Sequence, residues 1–107
     1  MNNTDIQTEL ERIMAQSTNI KELSDKNSER IQQLIDEARV ASNEGDTEKY
    51  WTLMNEATTR LKQSEMYLKL LDETANEARR LLVTAYGPVG GAIFDAIVRK
   101  QKEEMGS

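Results

Sequence analysis

Two heptad repeats dominate this sequence, one in each half of the chain. In both, residues follow one another at alternating steps of four and three, which places them along one side of an α-helix. Two helices with such a stripe can bury their stripes against each other. The first stripe is Ile6, Leu10, Ile13, Ser17, Ile20, Ser24, Asn27, Ile31, Leu34, Ala38 and Ala41. The second is Tyr50, Met54, Ala57, Leu61, Ser64, Leu68, Leu71, Ala75, Ala78, Leu82 and Ala85.

The breaks between the helices predict an all-α fold, a long antiparallel coiled-coil hairpin. Gly45 can end one helix in the left-handed conformation, and Gly87-Pro88 stops the next because proline lacks an amide proton. The predicted helices are about 4–42 and 47–86, followed by a short C-terminal helix of about 89–103. Residues 1–86 are therefore read as the hairpin, and 87–107 as a glycine elbow and amphipathic helix of the same domain.

Folding the chain about Gly45 brings the two stripes together, and we call this contact the seam. In the resulting register the numbers of facing residues add to 91 or 92. Most layers then match a large residue with a small one, which suits close packing. The exception is Asn27 opposite Ser64, a polar layer near the middle of the seam. We interpret this pair as a register-setting layer, with a solvated gap or a functional contact as the alternatives.

Composition excludes several classes of function. Nineteen acidic and fourteen basic residues give a net charge of −5, without a basic patch, so we expect no nucleic-acid partner. The chain has neither cysteine nor histidine, which removes the thiolate and imidazole ligands and nucleophiles. The carboxylates alternate with Lys and Arg, as on a solvated helix. We therefore predict a non-enzymatic protein with no catalytic residues, no metal and no cofactor.

The sequence also bears on localisation. The N-terminus has no basic segment followed by an apolar run, and no stretch approaches the roughly 20 apolar residues of a membrane span. These features predict a cytoplasmic protein, although export without a signal peptide would leave the same sequence.

Apolar residues outside the seam are the clearest indication of function, because a two-helix hairpin leaves them exposed. They predict a partner-binding surface, occupied by a second copy in a helical-bundle oligomer or by another helical protein. Tyr50 and Trp51 follow the turn, where they would either cap the core or anchor a partner. The predicted partner-binding residues are Tyr50, Trp51, Met66, Tyr67, Leu70, Ile93, Phe94 and Ile97.

The predicted function is a small adaptor, chaperone, assembly or inhibitor protein of a bacterial or phage system. Two alternatives depend on the C-terminal region. The helix at 89–103 has its apolar residues in the first part and its basic residues near the end, so it could lie on a membrane as part of a secretion or pore component. It could equally pack on its own hairpin or between subunits. The glycine elbow at 87–91 precedes a helix, where free amides can bind a phosphate or nucleotide.

Overall fold

The computed structural model describes residues 3–106, which form three helices: α1 (Asn3–Asn43), α2 (Thr47–Tyr86) and α3 (Pro88–Gly106). The two long helices pack against each other as a hairpin, which confirms the predicted fold class. α3 begins at Pro88 and extends further than the predicted end at residue 103. Residues 1, 2 and 107, which the predicted boundaries include, lie outside the described residues.

The chain divides into two compact units. Unit 2 is the continuous segment Asn19–Leu71, which contains the turn and the adjoining parts of α1 and α2. Unit 1 combines the residues up to Thr18 with those from Asp72 onward, so α3 belongs with the beginning of α1 and the end of α2.

The turn of unit 2 is stabilised by hydrogen bonds at both helix ends. The amide of Asp46 donates to the carbonyl of Ala41 at 2.9 Å, and that of Gly45 donates to Ser42 at 3.1 Å, the two bonds of a Schellman motif. Gly45 has a φ of 76°, a conformation that costs other residues more than glycine. Asp46 then caps the start of α2, since its carboxylate accepts a hydrogen bond from the amide of Lys49 at 3.1 Å.

The core of unit 2 lies along the α1 seam. Ile31, Leu34, Ala38 and Ala41 are buried there together with Ala57 of α2, and Leu34 is fully inaccessible to solvent. Large and small seam residues are buried here, and their burial supplies the apolar contribution to stability.

The polar layer contains the two residues that the repeat places opposite each other. Asn27 is only 5% exposed, and its Nδ2 donates to Ser64 Oγ at 2.8 Å and to the carbonyl of Arg60 at 2.7 Å. Its Oδ1 accepts a hydrogen bond from Arg60 Nη1 at 3.3 Å. The buried amide is thus bonded on both sides, which removes most of the cost of burying it.

The predicted seam of α2 is wrong by one position over part of its length. Leu61 and Leu68 are exposed, whereas the preceding residues, Arg60 and Tyr67, are half-buried. The Arg60 side chain lies against α1, where its Nη1 donates to Asn27 Oδ1 at 3.3 Å, and the leucines one position further are exposed. The same shift appears in unit 1, where Thr74 is buried and Ala75 is exposed.

In unit 1, α3 approaches α2 at a glycine. Gly87 ends α2 with a φ of 68°, and Pro88 is the first residue of α3, a position that proline favours. Gly90 is buried, and a Cβ atom placed on it would lie 2.1 Å from the carbonyl oxygen of Leu82. The absence of a side chain at Gly90 is therefore what allows the two helices to pack at this distance.

An ion-pair cluster on unit 1 gives a pH-dependent prediction. Arg12 binds Glu9 through two hydrogen bonds of 2.8 and 3.1 Å and also donates to Glu77 at 2.9 Å. The hydrogen bond from Arg12, and its positive charge, hold the pKa of Glu9 below its usual value of 4.5. We expect Arg12→Gln to return that pKa to near 4.5 in a carboxylate NMR titration, whereas Arg39→Gln in unit 2 should leave it unchanged.

The effect on stability follows from the direction of this shift. A carboxyl group whose pKa is lower in the folded chain stabilises the fold above its unfolded-state pKa, and this stabilisation is lost as the pH falls through the folded-state pKa. Because both side chains are well exposed, the contribution is small. An unchanged Glu9 pKa in Arg12→Gln would contradict the assignment.

Candidate interaction surface

The two flanks of the unit 2 seam differ in chemistry. One flank, here called the polar flank, carries Arg30, Glu56 and Arg60. Arg30 Nη2 lies 3.8 Å from Glu56 Oε1 across the helix pair, and Arg60 Nε lies 3.5 Å from the same oxygen. Arg30 comes three residues after the seam residue Asn27, and Arg60 comes three residues after the seam residue Ala57. Both arginines therefore lie on the same side of the seam, which makes this flank charged.

The opposite flank of α2 carries Leu61 and Leu68, four residues after the central positions Ala57 and Ser64. Leu61 is 51% exposed and Leu68 is 60% exposed. In an antiparallel pair of helices, residues that come the same number of positions after a central seam residue lie on the same side of the pair. The leucines come four positions after such a residue, whereas Arg30 and Arg60 come three, so the leucines lie on the opposite side. We call the side marked by Leu61 and Leu68 the leucine flank.

α1 contributes small and apolar residues to the leucine flank. Ser24 is half-buried, Ser28 is exposed and Ile35 is half-buried, all on the side of α1 that corresponds to Leu61 and Leu68. Small side chains allow another helix to approach closely, and the leucines offer apolar area for it to bury. The flank can therefore accept a further helix against α2.

Sequence reasoning missed Leu61 and Leu68 as surface residues, because it had assigned them to the seam. The signal that could have identified them is the polar layer itself. Once Asn27 is paired with Ser64, the position that precedes Leu61 carries a basic side chain able to reach Asn27. That contact requires Arg60 to take the inner position and Leu61 the outer one.

The predicted aromatic pair lies just after the turn. Tyr50 is half-buried and Trp51 is 58% exposed, and their rings meet edge to face with centroids 5.2 Å apart. Such a contact is the arrangement that aromatic rings favour. Tyr50 is thus partly covered, while most of Trp51 remains open to solvent.

The remaining predicted residues of α2 do not form one surface with Trp51. Met66 and Leu70 are exposed and lie one helical turn apart, but Tyr67 is half-buried at a seam position. Trp51 is fifteen residues before Met66 in the same helix, about 22 Å along its axis. The structure therefore separates this predicted set into a tip residue and a two-residue patch.

In α3, the three predicted residues also divide. Ile93 is partly exposed, whereas Phe94 and Ile97 are half-buried and line a cleft within unit 1. The cleft has a volume of about 140 Å³ and is bordered by α1, α2 and α3. α3 thus packs on its own hairpin, one of the alternatives from the sequence. The cleft residues are Leu10, Ile13, Met14, Ser17, Thr18, Thr74, Ala75, Ala78, Leu82, Phe94, Ile97, Val98 and Gln101.

The glycine elbow serves helix packing in this structure. The amide of Gly90 donates to the carbonyl of Gly87 at 2.9 Å, and Gly90 and Gly91 are both buried. A Cβ atom on Gly91 would be in ordinary contact with Arg79 and Val83 of α2. Two of the glycines that suggested an anion site are thus directed at α2.

Among the described residues, no group of three or more acidic side chains is arranged to hold a metal ion. None of the helices described here is both long enough and apolar enough to cross a membrane. No protein-family model, no curated protein and no solved structure matches this chain.

Proposed function

We propose that this protein is a non-enzymatic interaction module, of the adaptor, chaperone or assembly class, that docks a helix on the leucine flank of unit 2. The observation that carries the proposal is the exposure of Leu61 and Leu68 beside an already buried seam. Isolated surface leucines are common, but two at heptad spacing on one side of a helix repeat the pattern of a helix interface.

The spacing supports a helical partner in particular. Leu61 and Leu68 are seven residues apart, which is about 10.5 Å along the axis, or two turns. An amphipathic helix presents its own apolar residues at that interval, so each leucine can enter a space between them. Ser24 and Ser28, being small, leave room for such a helix beside α1.

Position-specific photo-crosslinking in the native host tests this proposal. A photoreactive amino acid at position 61 or 68 should give a discrete protein adduct, because both positions lie on the docking side. The same amino acid at position 23 is the matched control, since Leu23 is 51% exposed like Leu61 but lies three residues after Ile20, on the polar flank. The control should give little or no adduct.

The outcome that would contradict the proposal is equally definite. If positions 61 and 68 give no adduct, or give the same adducts as position 23, the leucine flank is not a docking surface.

A further inference from the structure

We propose that the cleft of unit 1 is a binding site for a small, uncharged aromatic molecule about the size of phenol. Its volume is about 140 Å³. A protein cavity of about 150 Å³ lined by leucine, isoleucine and phenylalanine side chains binds benzene. Every residue that lines the cleft belongs to unit 1. The inference therefore goes beyond the proposed function and does not depend on the leucine flank.

Small residues on α1 and α2 leave this space open. Ser17 occupies a seam position of α1, whereas the preceding seam positions of unit 1 carry the larger Leu10 and Ile13. On α2, Ala75 and Ala78 border the cleft. Where facing side chains are small, packed helices leave unfilled the volume that a larger residue would occupy. α3 borders this volume without filling it.

The cleft reaches into the core of unit 1. Four of its lining residues are 7% exposed or less, namely Ile13, Thr74, Ala78 and Leu82. Five more are half-buried, namely Leu10, Ser17, Phe94, Ile97 and Val98. The exposed ones, which mark the mouth, are Met14, Thr18, Ala75 and Gln101. A molecule in the cleft would thus bury apolar surface against several helices and would not lie on one exposed helix face.

The chemistry of the lining selects an uncharged ligand. None of the lining residues carries a charge, so an ion would lose its hydration there without a countercharge. The mouth nevertheless offers polar groups for one neutral substituent. Thr18 Oγ1 donates to the carbonyl of Met14 at 3.0 Å, which leaves that oxygen able to accept a hydrogen bond from a hydroxyl. Gln101 adds an exposed amide.

Met14 and Phe94 make the cleft better suited to an aromatic ring than to an aliphatic one. Both side chains border the space. A phenylalanine ring favours edge-to-face or offset contact with a second ring, and a thioether sulfur is attracted to a ring edge. Cyclohexanol, which has the same number of non-hydrogen atoms as phenol but no π-system, gains neither contact. We expect phenol to bind roughly fivefold more tightly than cyclohexanol.

An amide ¹H–¹⁵N NMR titration of the full chain with phenol tests the inference. We expect saturable shifts at amides of cleft residues such as Ser17, Ala78 and Phe94, with a dissociation constant on the order of 1 mM for an apolar body of this size. The core of unit 2 provides the internal control, since the amides of Leu34 and Ala57 should not move.

Two matched variants locate the site. Ser17→Leu places a larger side chain at the cleft and should weaken phenol binding at least about tenfold, because it fills the space that the ring needs. Ser24→Leu is the control, since Ser24 is the half-buried seam serine one heptad further along α1, in unit 2, and does not line the cleft. It should leave the dissociation constant within about twofold. Circular dichroism checks that both variants remain helical.

The wild-type titration decides the outcome even if one variant fails to fold. The inference is overturned if no saturable shift appears up to about 50 mM phenol, well above the expected dissociation constant. Shifts that spread equally over unit 2, equal binding by Ser17→Leu and Ser24→Leu, or equal affinity for cyclohexanol would overturn it as well. None of these results involves positions 61 and 68, so the proposed function is tested separately by the crosslinking.

Discussion

Gly90→Ala should destabilise the fold by about 2–3 kcal/mol and displace α3, since it forces atoms together in a packed site. The added methyl carbon would lie 2.1 Å from the carbonyl oxygen and 2.4 Å from the carbonyl carbon of Leu82, far inside van der Waals contact. Because both of these atoms belong to the backbone, no side-chain rotation can relieve the overlap, and the helices must separate. Urea denaturation monitored by circular dichroism measures the loss.

The neighbouring glycine provides the matched control. A Cβ atom on Gly91 would meet its nearest atom, Nη2 of Arg79, at 3.6 Å, which is an ordinary contact. Gly91→Ala should therefore leave the packing intact and stabilise α3 by up to about 1 kcal/mol, through the higher helix propensity of alanine. Equal effects of the two substitutions would show that α3 does not pack on α2 through Gly90.

Asn27→Asp should lower the free energy of unfolding by about 1–2 kcal/mol at neutral pH, because the loss of the bond to the Arg60 carbonyl and the burial of a charge outweigh the ion pair of the new carboxylate with Arg60 Nη1, which lies 3.3 Å from Oδ1. The substitution keeps the size of the side chain and removes its two N–H donors. The hydroxyl of Ser64 can rotate to donate to the new carboxylate, but the carbonyl of Arg60, 2.7 Å from Nδ2, cannot. Two acceptors would then face each other in a site that is 5% exposed.

The double variant Asn27→Leu with Ser64→Ala separates hydrogen bonding from shape. It removes the amide together with the hydroxyl that the amide binds, so an apolar contact replaces the polar pair, an exchange that is often neutral or stabilising. We expect a change of less than about 1 kcal/mol by urea denaturation, with no loss of helicity. If the double variant costs as much as Asn27→Asp, the hydrogen bonds of Asn27 are not what stabilises the layer.

The seven-residue repeat predicted the helices and the facing of α1, and Gly45 and Gly87-Pro88 predicted where the helices end. Every predicted α1 seam position from Ile6 to Ala41 is buried or half-buried, because the apolar and small residues there leave a single choice of face. α2 offers two neighbouring faces that could turn inward, because Leu61 directly follows Arg60 and Leu68 directly follows Tyr67. The greater hydrophobicity of the leucines favoured them as core residues, whereas in the structure Arg60 lies on the inner side and its side chain donates to Asn27 Oδ1.

The candidate surface, too, was only partly predictable from the sequence. Sequence reasoning correctly expected exposed apolar residues such as Trp51 and Met66, because a hairpin has too little interior for them. It did not find the leucine flank, since a rotation of α2 by one position exchanges seam and surface residues. Such a rotation depends on contacts between residues far apart in the sequence, here Asn27 and Arg60, and not on the local pattern.

The short turn at Gly45 also has a consequence for the order in which the protein can fold. Unit 2 is one continuous segment, and its helices are joined by a tight turn, so closing it costs little chain entropy. Unit 1 must join the first residues of the chain to those after Asp72, which makes its contacts non-local and slower to form. During synthesis, Leu61 and Leu68 can therefore reach their folded positions before α3 has left the ribosome, so a nascent chain can present this surface before its own fold is complete.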